Sequence, residues 1–201
     1  MLDTEGDLRG RVSMARDEFV AWLRGAIPSL PQTLKEALRI AEDPDVPDEG
    51  RALLAGAVIH WLSRTNTMPS ARVGTLIYVD DALVLLFAFD RLRSIVPGYI
   101  ERRIETAPEL FERFDDDVAR ARDYLGTGVK VIDHALDRVA RLKHMGRTAE
   151  HCVHDEAAAT MLYEELDSAL IDFDVQEDAV ARDAKDIDGA IEEVKKRGAA
   201  L

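Results

Sequence analysis

Two adjacent carboxylates, Asp80 and Asp81, interrupt the otherwise apolar run GTLIYVDDALVLLFAF at residues 74–89. Acidic side chains in such a place have two uses. At a helix start, an Asp accepts a hydrogen bond from a free backbone N–H and meets the positive end of the helix dipole. Alternatively, the pair binds a cation or a polar partner. Neighbours on a helix point roughly 100° apart, so they cannot converge on one ion without further ligands. Capping needs no ligand, and it places Asp80 at the N-cap and Asp81 at the first helical position.

Histidine supplies the second candidate. Four of the five, His134, His144, His151 and His154, fall between residues 134 and 154. The stretch EHCVHDEAAA sets His151 and His154 one helical turn apart, a spacing that zinc and di-iron sites use. Neither HExxH nor a second ExxH accompanies them, and Glu164, Glu165 and Asp167 would have to be brought close by the fold. Solvated helix histidines are the plain alternative. Cys152 stands among these groups without a nucleophile motif, and the chain has no G-x-S-x-G and no Gly-rich phosphate loop. It reads as a small helix residue, His60 beside Trp61 reads as a hydrogen-bonded core histidine, and no cofactor is expected.

The elements that must position these groups are helical. Gly and Pro divide the chain into pieces of helical length. The first runs from about Arg11 to Gly25, and Ser29 with Gln32 has capping-box spacing ahead of a second. DPDVPDEG at 43–50 is a loop. RALLAGAVIHWLSR and DDALVLLFAFDRLRSI follow as helices apolar on most sides, which a chain must bury. Beyond Pro97 the texture becomes charged and amphipathic, with Pro108 a break between helices. Ile132, Leu136, Val139 and Leu142 share a helix expected to end at Gly146, and Thr148 begins the next. Val180, Ala184, Ile187, Ile191 and Val194, spaced 4, 3, 4, 3, form a heptad seam about two heptads long, suited to packing on a neighbouring helix. The expected fold is all-α: a helical bundle with an apolar central helix pair (residues 1–96) and an acidic amphipathic helical hairpin or bundle (residues 97–201).

Composition bounds the function classes. The 201 residues carry a formal charge of −13, which disfavours nucleic acid because phosphate binding needs clustered Lys and Arg. From Asp155 onward there are 14 acidic and 5 basic side chains, so this segment also repels anionic lipid. One cysteine allows no internal disulfide and fits a reducing cytoplasm. The opening MLDTEGDLRGRVSM lacks a basic region followed by an apolar one, so no signal peptide is expected. Residues 73–89 are too short, and too acidic at their middle, for a span of about 20 apolar residues.

The order of motifs in residues 29–95 resembles the DUF1232 (YkvA-like) family of small helical bacterial proteins. Asp43-Pro44-Asp45-Val46-Pro47 matches its first loop, and His60-Trp61-Leu62-Ser63 the end of its first apolar helix. Met68-Pro69 falls at its "iP" position, and Tyr78-Val79-Asp80-Asp81 matches "ylDD". Where the family has acidic residues before this point, the chain has Asn66 and Ser70, and Ile77 replaces a glycine. The resemblance implies a helical fold and no established activity. Together these features describe a non-catalytic interaction or scaffold protein working through helix–helix contacts, with a protein partner or a second copy. The alternatives are a metal-dependent enzyme with its site at Asp80/Asp81 or His151/His154, and a peripheral membrane protein using the 73–89 segment.

Overall fold

A computed structural model describes residues 4–65, 67, 68 and 74–201; Asn66, Pro69, Ser70 and Val73 lie outside the described residues. The chain is all-α apart from one two-stranded hairpin. The helices are α1 (Thr4–Ala26), α2 (Leu30–Ala41), α3 (Asp48–Leu62), α4 (Val79–Ile95), α5 (Tyr99–Ile104), α6 (Pro108–Phe111), α7 (Phe114–Leu125), α8 (Val129–Val139), α9 (Ala149–His154), α10 (Glu156–Leu170), α11 (Glu177–Asp183) and α12 (Ile187–Ala200). Short 3₁₀ turns cover Gly74–Tyr78, Gly126–Gly128 and Ala184–Asp186.

The two apolar helices form the centre, as their composition requires. α3 and α4 pack on each other, and almost every residue from Ala52 to Trp61 and from Val79 to Phe89 is buried. Such helices have no solvent face to offer, so neighbours cover them on all sides: α2, α8 and α9 on α3, and α5, α7 and α8 on α4. Phe89 meets the edge of Phe111 at 5.2 Å, and Phe111 touches Phe114 at 6.0 Å, which ties α6 and α7 to the core.

Residues 97–201 are therefore not an appendage. One apolar cluster runs from Phe19 through Leu54 and Leu85 to Leu136 and Val194. α1 packs on α7 and α11, so the two ends of the chain close over the same core. The heptad seam is turned the same way: Val180, Ala184, Ile187, Ile191 and Val194 are each at most 1% exposed within the single chain. The 3₁₀ turn at Ala184–Asp186 also divides it between α11 and α12. It is part of the interior, and it offers no stripe to a partner.

Local corrections have local causes. Ser29 makes no side-chain cap; its carbonyl instead accepts from both the N–H (3.0 Å) and the hydroxyl (2.9 Å) of Thr33. Pro108 does mark the expected break: α5 ends at Ile104, and Pro108 opens α6 in its first turn. Gly146 does not end a helix: α8 stops at Val139, and Met145-Gly146 forms the turn of a hairpin pairing Lys143 with Thr148 and His144 with Arg147. Thr148 does cap the following helix, accepting from His151 N–H at 3.2 Å.

Gly56 shows how closely the centre is built. A Cβ there would lie 2.6 Å from the carbonyl carbon and oxygen of Val139, so α3 abuts the backbone at the end of α8. Because backbone cannot swing aside, Gly56→Ala should destabilise the fold by about 1–3 kcal/mol, in the range of overpacked cores. Denaturant unfolding checks this, and a midpoint equal to the wild type's would show that α8 yields freely.

Candidate functional site

The turn that precedes α4 is anchored from outside the helix. Asp183 on α11 accepts from the N–H (2.8 Å) and hydroxyl (3.0 Å) of Thr75, pinning the 3₁₀ turn that leads into α4. Helix then begins at Val79 with Tyr78 as its capping residue, which makes no side-chain cap bond. Asp80 and Asp81 thus occupy the second and third helical positions and do not cap. They remain in the first turn, at the favourable end of the dipole. Both are buried, 3% and 7% exposed.

Their partners lie on other elements. Asp80 Oδ2 accepts from the Thr67 N–H at 2.8 Å, holding the segment that follows α3. Asp81 Oδ1 lies 3.1 Å from Nδ1 of His60, which is 1% exposed in α3. With a carboxylate on that side, Nδ1–H is the donor. The other ring nitrogen, Nε2, is 3.1 Å from the Thr67 hydroxyl. A closed circuit results, Asp80–Thr67–His60–Asp81, linking the end of α3 to the start of α4. The adjacent carboxylates face different partners, as their angular separation on the helix requires.

Arg64 completes the corner. The Arg64 N–H bonds to the Trp61 carbonyl and the Thr65 N–H to the His60 carbonyl, a Schellman ending to α3. That ending needs a left-handed residue, and Arg64 supplies it at φ 51° in place of glycine. Its guanidinium stands 5.3 Å over the Trp61 ring, and its charge helps hold the Asp81 carboxylate ionised.

Burial dominates the electrostatics. It pushes the Asp80 carboxyl up to about 6, with the neighbouring Asp81 charge adding to the rise and the Thr67 N–H and His60 opposing it. Burial raises Asp81 too, and its bond to His60 draws it back.

The sequence Asp81–His60–Thr67 has the connectivity of a carboxylate–imidazole–hydroxyl relay. The imidazole is sealed from solvent, and the Thr67 N–H, the natural oxyanion donor, is already bound to Asp80. A looser set lies nearby. Ser63 Oγ is 3.4 Å from Nδ1 of His144, whose Nε2 is 3.4 Å from Glu165, itself paired with Arg147. Ser63 ends α3, where the helix dipole opposes an alkoxide.

The other candidates stay apart. His151 and His154 are exposed and turn to different carboxylates, Asp155 at 3.9 Å and Asp48 at 3.8 Å. Among the described residues no three His, Cys, Asp or Glu side chains are placed to hold a metal. Cys152 is buried, and burial raises its thiol, which keeps it protonated and unreactive. No helix among the described residues is long and apolar enough to cross a membrane, and residues 79–89 are covered by protein.

Sequence reasoning missed Thr67, which nothing in its neighbourhood marks. It also missed a third buried acid, Glu36, which pairs with Arg103 and, at 3.4 Å, with Arg39. In the DPDVP loop, Asp43 accepts from the Tyr99 hydroxyl at 2.6 Å and the Asp45 N–H at 2.9 Å, so that acid locks the loop to α5. These bonds hold Asp43 below the usual carboxylate range. Compared with known proteins, the chain matches no family model, no curated protein and no solved structure.

The pH dependence of stability follows from Asp80. A carboxyl that titrates near 6 in the folded state, against about 3.9 unfolded, binds its proton more tightly when folded. Stability from this group is therefore full below pH ~4 and lost as pH rises through 6. Asp80→Asn keeps an acceptor for Thr67 and removes the ionisation, so its stability relative to wild type should rise between pH 4.5 and 7, by up to about 3 kcal/mol. Melting curves of both proteins across that range decide it; a difference independent of pH would show that Asp80 is not held raised.

Proposed function

We propose that this chain is a non-catalytic interaction protein, a helical scaffold working within a protein assembly in a reducing, cytoplasmic setting. The observation that carries the reading is that the buried titratable groups drawn together at the centre, His60, Asp80 and Asp81, are bonded within the chain and closed to solutes. They serve the α3–α4 junction, as polar groups in an apolar interior must. Single buried Cys152 is in keeping with the compartment. The DUF1232-like placing of the DPDVP loop, the end of α3 and the start of α4 is compatible with a relationship to that family, itself a proposal.

With the heptad seam buried, contacts to a partner must use the outer surface. A second reading has one observation in its favour, the Asp81–His60–Thr67 connectivity, and makes Thr67 a nucleophile with His60 as its base.

Two measurements separate the readings. Native mass spectrometry of the protein isolated gently from its own host should find it in a complex larger than one chain, without a stoichiometric metal. Treatment with a fluorophosphonate should leave its mass unchanged. A lone chain carrying one adduct on Thr67, or one chelatable metal, would replace the scaffold reading with the enzymatic one.

A further inference from the structure

The hairpin at Lys143–Thr148 is costly in a way that folding does not explain. Its two-residue turn requires positive φ at both centres, and Met145 and Gly146 adopt 49° and 81°. Asn or Gly suits the first position. Methionine there is strained and also 73% exposed, a large apolar side chain held out to water at the tip of a turn.

Its surroundings are equally unusual for a chain of net charge −13. Arg138, Arg141, Lys143 and Arg147 lie in a stretch with no acidic residue between Asp137 and Glu150. Elsewhere Arg91, Arg93 and Arg120 are tied to aspartates. Arg138, Arg141 and Lys143 are exposed and form no ion pair among the described residues. Methionine with arginine is the side-chain combination that interfaces favour.

A complementary feature lies elsewhere on the same surface. A cleft of about 370 Å³ opens between α1, α2, α4, α6 and α7, with Trp22, Leu30, Leu86 and Leu110 on its walls. Glu18 and Glu109 stand at its edge and form no ion pair among the described residues. Arg120 and Asp117 there neutralise each other at 2.9 Å, which leaves Arg113 as the one cation against those two carboxylates. No residue of the hairpin lines this cleft.

We infer that the Met145 hairpin of one copy docks in the Trp22 cleft of a second copy, with Arg141 and Lys143 set against Glu18 and Glu109. The inference rests on the interaction-protein reading and names its surface and partner. The thioether would lie against the indole, a favourable sulfur–aromatic contact, and the opposite charges fix the register. Reciprocal docking closes a two-fold pair, whereas docking in one direction propagates. The chain's overall charge repels lipid and nucleic-acid phosphates, and one apolar side chain is little for a bilayer to hold.

The test is light scattering of the purified full-length protein on a sizing column, across a wide concentration range at low and high salt. Mass should exceed one chain, rise with concentration and fall with salt. Met145→Asn suits the turn better, so it should raise the melting temperature while weakening association about tenfold or more. Lys143→Glu and Glu109→Lys should each weaken it similarly, and mixing those two variants should restore it, because the reversed charges then match. A monomer at every concentration, or an oligomer that none of these changes affects, overturns the inference. So does capture of anionic vesicles or duplex DNA by the hairpin in the absence of self-association. A monomer in this assay leaves the scaffold reading standing wherever the host complex contains a different protein.

Discussion

A helix that is apolar on every side must be covered on every side, and this chain lays two of them, α3 and α4, against each other. The remaining architecture answers that demand. α2, α8 and α9 shield one helix, α5, α7 and α8 shield the other, and α1 with α11 and α12 closes the outside. Close approach is purchased with glycine at Gly56, and at Gly198, where a Cβ would strike the Thr127 carbonyl oxygen at 1.9 Å.

Burying the pair creates a problem at a polar corner. The connection from α3 to α4 brings backbone polar groups to the edge of the core, and each needs a partner. His60, Asp80 and Asp81 supply them. The bonds to Thr67 satisfy an N–H and a hydroxyl of the crossing segment, while Arg64 lends a positive charge from the end of α3. Two carboxylates with raised affinity for protons are the consequence of their burial. Perturbed titration often marks an active site. Here desolvation at a structural junction is sufficient cause of the shift.

The surface of the molecule is uneven. Arg91, Arg93, Arg120 and Arg122 are paired with aspartates, whereas Arg138, Arg141 and Lys143 form no ion pair among the described residues and lie near a strained, exposed methionine. Methionine suits neither the left-handed turn position nor exposure to water, which is the observation on which the proposed contact rests.

Sequence alone determined the helical class, because Pro and Gly bracket segments whose apolar spacing has no strand period. It also marked residues near 52–61 and 79–89 as helices apolar on most sides, but left open whether the second is buried in protein or set against a membrane. It singled out Asp80 and Asp81, and His60 as a bonded core residue. What it could not determine was where the carboxylates point. An acid two residues inside a helix and an acid at its cap are one or two positions apart in the chain; in the fold α4 begins at Val79, after a 3₁₀ turn that Asp183, distant in sequence, anchors at Thr75. The seam on α11 and α12 was legible as apolar, yet a heptad stripe fits its own core and a partner equally well. Only the packing of the whole chain, in which α1, α7 and α8 already occupy that face, decided for the interior. Thr67 carries no mark in the sequence at all, because its role consists of being near groups that folding brings together.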